Sequence, residues 1–193
     1  MRSLEGTITA LSKRLLELGP GPLAELRRME PGGVGTSMFW RLAAQLDLPV
    51  RKTDEWMQIV RILAILAPMS SQNAPVRLHD RFTRLGRWLC DGGDPNWPPN
   101  PQEPRPQLSE QRLARLLITP SSQRGEALER IARMLAPRRA PKEGVNCTEI
   151  ALLLLSSDNS LLLQDIARSY YARLDRTTYD SNKPQESMEG PTA

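Results

Sequence analysis

The chain has 193 residues, 39% of them hydrophobic and 25% charged, with a formal net charge of +4 and a pI near 9.4. That length allows one large or two small domains, and no stretch approaches the 18 apolar residues of a membrane span. Two cysteines, Cys90 and Cys147, and one histidine, His79, are too few for a secreted disulfide scaffold or a zinc site, so no metal or cofactor is expected and a reducing cytosol fits best.

In chain order, the pattern is helical throughout, without the alternating β-branched runs that mark strands. The N-terminal stretch lacks the apolar core of a signal peptide. Apolar residues at Leu4, Ile8, Leu11, Leu15 and Leu18 predict a first helix that stops at Gly19-Pro20. Pro22 suits the first turn of a short helix over Leu23–Met29. A glycine-rich loop around Pro31–Gly35 precedes a helix over Ser37–Leu46. Thr53 or Asp54 can cap the next, which runs to about Ala67 and is apolar nearly all round, as a central helix should be. In the segment Val76–Cys90, read as another helix, Arg77, Arg81, Arg84 and Arg87 fall within about 120° of one another. Leu78, Phe82, Leu85 and Leu89 form the face expected to pack, and Trp88 lies at the border of the arginines.

Residues 92–107 read GGDPNWPPNPQEPRPQ, six prolines without periodicity, expected as a semi-rigid spacer or surface strap. Beyond it, helices are expected over Glu110–Ile118 (capped by Ser109), Gln123–Leu135, Thr148–Leu155 and Asn159–Arg176. Leu163, Ile166, Tyr170 and Leu174 share one face of the last. The fold class is therefore all-α: two small helical bundles joined by a Pro-rich linker. The divisions are a basic bundle (1–93), the linker (94–107), a second bundle (108–176) and a disordered tail (177–193). Basic residues outnumber acidic ones 13 to 9 in residues 1–93 and match them at 13 each in 94–193, so all the net charge lies in the first half.

Motifs for catalysis are missing. His79 and Cys90 would stand about 16 Å apart on one helix, too far for a dyad. The acidic residues have no metal-binding spacing, and Pro31–Gly35 lacks the strand and lysine of a phosphate loop. The arginine ridge with Trp88 beside it suits a phosphate backbone and an unstacked base, although arginines on an outer helix face also serve plain solubility. The expectation is a binding protein, not an enzyme.

Several segments, in order, resemble one family. They are Leu23-Ala24-Glu25-Leu26-Arg27-Arg28-Met29-Glu30-Pro31, Phe39-Trp40-Arg41-Leu42, Leu85-Gly86-Arg87-Trp88-Leu89, Ser109 through Leu117, Leu128-Glu129-Arg130 through Leu135, and Ala167-Arg168-Ser169-Tyr170-Tyr171. Together they are similar to the CasB family, the small subunit of the type I-E CRISPR surveillance complex, Cascade. Ile166 stands where many members have tryptophan, and Ser169 where they have an acid. The resemblance implies an all-α, non-catalytic subunit in contact with the complex's backbone and large subunits and with a second copy of itself. It also implies lysine and arginine contacts to the guide RNA, the target DNA and the displaced strand. By the same resemblance Arg27, Arg28, Arg51, Lys52, Arg112, Arg115 and Arg130 match basic positions of the family, beside the ridge of Arg77, Arg81, Arg84, Arg87 and Trp88. For Arg130 and Arg133 the i,i+4 glutamates Glu126 and Glu129 offer a structural reading, and for Arg138, Arg139 and Lys142 a helix C-terminus does. Trp40, Trp56 and Tyr170 are expected in the core. The alternatives are a helical adaptor that binds only protein and a helix-turn-helix regulator over Thr148–Tyr171. The latter is disfavoured because its second helix opens with Leu161-Leu162-Leu163, a sequence suited to burial.

Overall fold

The computed structural model describes residues 3–67, 77–98, 104–138, 143–157 and 159–181, the last five for backbone alone. Among these the chain is all-α: α1 (Leu4–Glu17), α2 (Pro20–Arg28), α3 (Ser37–Leu46), α4 (Thr53–Leu66), α5 (Leu85–Asp91), α6 (Glu110–Ile118), α7 (Ser121–Leu135), α8 (Cys147–Leu155) and α9 (Ser160–Ser181). Each expected helix has a counterpart, but the one expected over Val76–Cys90 is reduced to Leu85–Asp91. Local chemistry sets several ends: the Ser3 hydroxyl accepts from Gly6 N (3.1 Å), Thr36 Oγ1 from Phe39 N (3.3 Å), and Asn146 Oδ1 from Thr148 N (3.1 Å). Thr53 is not a cap. It lies inside α4, its hydroxyl donates to the Val50 carbonyl (2.6 Å), and Lys52 takes the cap position in a left-handed conformation (φ 71°).

α4 is the central helix. Trp56 through Leu66 are buried except Arg61, and α1, α2, α7 and α8 all pack on it. Two of those neighbours come from each half of the sequence, so the contacts do not divide at the proline-rich segment, and one hydrophobic core runs through both halves. At the α4–α7 contact, Gln58 Nε2 donates to the Gly125 carbonyl (3.1 Å) and Arg61 pairs with Glu129 (2.9 Å).

The second tie between the halves is α5 on α9. Gly86 is what permits it, because a Cβ there would fall well inside van der Waals contact of the Ile166 carbonyl and the Ser169 hydroxyl. The proline-rich segment is likewise anchored where it is described, and is not a spacer. Trp97 is buried and donates from Nε1 to the Arg105 carbonyl (3.2 Å), while Gln107 N and Leu108 N donate to Cys90 O (2.8 Å) and Leu89 O (2.9 Å). The Trp97–Pro98 peptide is cis. Residues 99–103 of this segment and residues 182–193 of the expected tail lie outside the described residues, whereas 177–181 continue α9.

The largest departure from expectation concerns residues 77–84. They form no helix, and α5 starts only at Leu85. Two forces compete with helix formation here. The Asp80 carboxylate accepts from Phe82 N and Thr83 Oγ1 (3.0 Å each), a local turn that the backbone prefers to helix. In addition, the backbone pairs with residues 145–146 through Asp80 N to Val145 O (3.1 Å), Val145 N to Leu78 O (3.1 Å) and Asn146 N to Thr83 O (2.9 Å). Gly144 allows this approach, since a Cβ on it would lie 2.8 Å from Asp80 N.

Substituting Gly86→Ala should destabilise the protein by about 1–3 kcal/mol through overpacking. Chemical denaturation followed by circular dichroism checks this, and wild-type stability would show that α5 and α9 do not need their close approach.

Candidate nucleic-acid interface

Because residues 77–84 are not helical, the four arginines do not form a ridge on one helix face. Arg81 is exposed, with its guanidinium 4.5 Å from the centroid of the Phe82 ring. Arg84, at the α5 N-cap position, pairs with Asp165 of α9 (3.4 Å). Arg87 is half-exposed and pairs with Asp91 (3.2 Å). Arg77 is exposed on the same stretch. Phe82, expected in the core, is 76% exposed, and Trp88, expected beside the arginines, is 1% exposed and part of the core. Trp88 is therefore no stacking platform. The reason is the later start of the helix: with α5 beginning at Leu85 and seated on α9 through Gly86, Trp88 falls on the inward side. Among the other aromatics, Trp56 and Tyr170 are buried as expected, but Trp40 is 47% exposed, its Nε1 donating to the Val34 carbonyl (2.8 Å).

Elsewhere the fold uses several candidate cations to terminate its own helices. Arg27 donates from Nε to the Ala64 carbonyl (2.8 Å) and from Nη2 to the Ala67 carbonyl (2.9 Å), closing the C-terminus of α4, and burial holds its guanidinium pKa below the ordinary value. The Lys52 ammonium donates to the Leu155 carbonyl at the end of α8. Arg28 and Arg51 remain on the surface.

The three second-half candidates come together. Arg112 and Arg115 of α6 and Arg130 of α7 line one open groove of about 490 Å³ with Leu116, Thr119, Ala127, Ile131 and Met134. Among the described residues no carboxylate lines it. The expected Glu129–Arg133 pair forms (3.0 Å), whereas no Glu126–Arg130 ion pair occurs among the described residues. Arg138 ends a short 3₁₀ turn after α7, and Arg139 and Lys142 lie outside the described residues. Helical periodicity alone could not show this groove, because it needs the angle at which α6 meets α7.

The leucine run that opens the last helix is not buried as expected, since Leu162 and Leu163 are only partly covered. α9 lies along α5 and touches α6, and Leu161 at its start is 76% exposed rather than buried.

His79 and Cys147, distant in sequence, are neighbours, but both are occupied structurally. His79 Nδ1 accepts from Cys147 N (3.2 Å) and its Nε2 lies 2.8 Å from Glu5 Oε1, while the Cys147 thiol donates to the Leu78 carbonyl (3.5 Å). Burial opposes ionisation of Glu5, yet the bonds from Thr148 and His79 outweigh it and hold the carboxyl below its usual range. Burial, with Asp91 adjacent, pushes the Cys90 thiol up to about 12. Burial also raises the Glu149 carboxyl, against the hydrogen bond that it accepts from Leu85 N (2.7 Å) at the start of α5. Among the described residues no group of three or more His, Cys, Asp or Glu side chains is placed to hold a metal ion, and no helix is long and apolar enough to cross a membrane.

No protein-family profile, curated protein or solved structure matches the chain.

Both cysteines are buried free thiols. At pH 8 the native protein should therefore react with a thiol reagent at neither site, and with two equivalents once unfolded. Rapid native labelling of Cys90 would contradict its burial.

Proposed function

We propose that the chain is a non-catalytic, nucleic-acid-binding helical subunit of an RNA-guided surveillance complex, of the kind to whose CasB family its motifs bear a resemblance. The observation that carries this reading is the convergence of Arg112, Arg115 and Arg130 on one groove that no carboxylate of the described residues lines. Guanidiniums in such a setting bind phosphate through fixed, forked donors and gain further from counterion release. Leu116, Ile131 and Met134 between them offer an apolar floor to sugars. The contacts require charge and shape alone, as befits a complex in which base pairing to the guide RNA selects the target.

The test has two arms. Co-expressed with its neighbouring gene products, the tagged chain should co-purify with them and with a short RNA. Partners recovered without RNA would favour a protein-only adaptor. In isolation, the variant R112A/R115A/R130A should bind single strands more weakly, and its affinity should depend less on salt between about 50 and 200 mM. The log–log slope should fall by about 2, at roughly 0.7 for each lost phosphate contact. An unchanged slope would remove the groove from the interface.

A further inference from the structure

Phe82 is the most exposed aromatic side chain among the described residues, and the backbone that carries it is firmly held. Asp80 N and Thr83 O pair with Val145 and Asn146 (3.1 and 2.9 Å), and the Arg81 carbonyl accepts from Asn146 Nδ2 (3.2 Å). The Asp80 carboxylate binds Phe82 N (3.0 Å), and Leu85 N is tied to Glu149 (2.7 Å). Thr83, the next residue, is buried, as is Leu85 two positions beyond it. The loop therefore has little freedom to fold the ring inward. An apolar ring fixed in water is preorganised to be covered by something else.

The surroundings of the ring select what covers it. The Arg81 guanidinium lies over the ring at 4.5 Å and, although its charge helps to keep the Glu5 carboxylate ionised, forms no direct ion pair among the described residues. A cation held over an aromatic ring is a poor fit to an aliphatic pocket on a protein, where the charge would lose its hydration without a direct partner. It suits a nucleobase, whose plane stacks on aromatic and guanidinium surfaces alike while its own phosphates meet the cations nearby. Arg84, half-exposed three residues on, is paired with Asp165 (3.4 Å) and would have to exchange that partner to meet an adjoining phosphate. In a duplex the bases are already stacked on one another, so the ligand is single-stranded.

We propose that Phe82 and Arg81 form a stacking platform for one unpaired base of a single-stranded nucleic acid. This deepens the reading above and rests on it. The test compares the full chain with Phe82→Ala and Phe82→Trp on a labelled single strand and on a strand of equal length with abasic sites. Phe82→Ala should weaken binding to the intact strand about tenfold without changing the salt slope, since no phosphate contact is lost. On the abasic strand it should have no effect, and Phe82→Trp should restore affinity. Photocrosslinking with an iododeoxyuridine-substituted strand should yield an adduct at Phe82. If the unaltered chain binds the strand but Phe82→Ala binds equally well, the platform is wrong and the ring faces a protein. Equal weakening on both strands would assign Phe82 a structural role and also overturn the proposal. Failure of the unaltered chain to bind any strand would overturn the nucleic-acid reading itself.

Discussion

The Asp91 carboxylate is the interaction on which the arrangement turns. It is completely buried, yet it accepts from Arg87 Nε (3.2 Å), Arg173 Nε (2.8 Å) and Gly93 N (2.8 Å). One side chain thus joins the end of α5, the turn into the proline-rich segment and the C-terminal part of α9. Taking a carboxylate out of water costs several kcal/mol unless its lone pairs are met, so these partners are mutually required. Arg173 extends the network, donating from Nη2 to the Trp97 carbonyl (2.9 Å) with its guanidinium carbon 5.4 Å from the Trp97 ring centroid. Tyr170, one turn earlier on α9, donates its buried hydroxyl to the Leu108 carbonyl (2.6 Å). Between them the two residues fasten both sides of the proline-rich segment to α9.

The same economy of hydrogen bonding decides which cations remain for a ligand. A helix leaves carbonyls unmet at its C-terminus, and in a compact all-α protein several such ends are partly buried. Here long cationic side chains meet them: Arg27 at the end of α4, Lys52 at the end of α8, and Arg124, whose guanidinium donates to the Leu153 and Thr119 carbonyls (3.4 and 3.3 Å). Net charge therefore overstates the surface available to a polyanion. The clustered arginines of the α6–α7 groove, and the loop that carries Arg81 and Phe82, count for more than the excess of +4.

Helical content was legible in the sequence because each helix has its own apolar stripe and its own breakers. Leu4 to Leu18 alternates at 3.6-residue spacing and ends at Gly19-Pro20, and Trp56 to Leu66 is too apolar to lie anywhere but the centre. The error at residues 77–84 has a physical source. Arg77, Arg81, Arg84 and Arg87 fit a helical period by spacing, but the Asp80 carboxylate and the backbone of residues 145–146 offer that stretch better hydrogen bonds than a helix would. One partner is local and visible as an aspartate two residues before Phe82. The other is more than 60 residues away, and no local pattern announces it.

The sequence by itself determined which segments are helices, which residues are apolar enough to form the core, and where positive charge is concentrated, because these depend on neighbours within a turn or two. Only the tertiary structure decided which charges are free and which aromatics face water. Trp88 and Phe82 exchange their expected places because Gly86 lets α5 sit against the α9 backbone while Asp80 turns the preceding chain outward. Arg112, Arg115 and Arg130 share a groove because α6 and α7 meet at one particular angle, which is set by packing against the rest of the core.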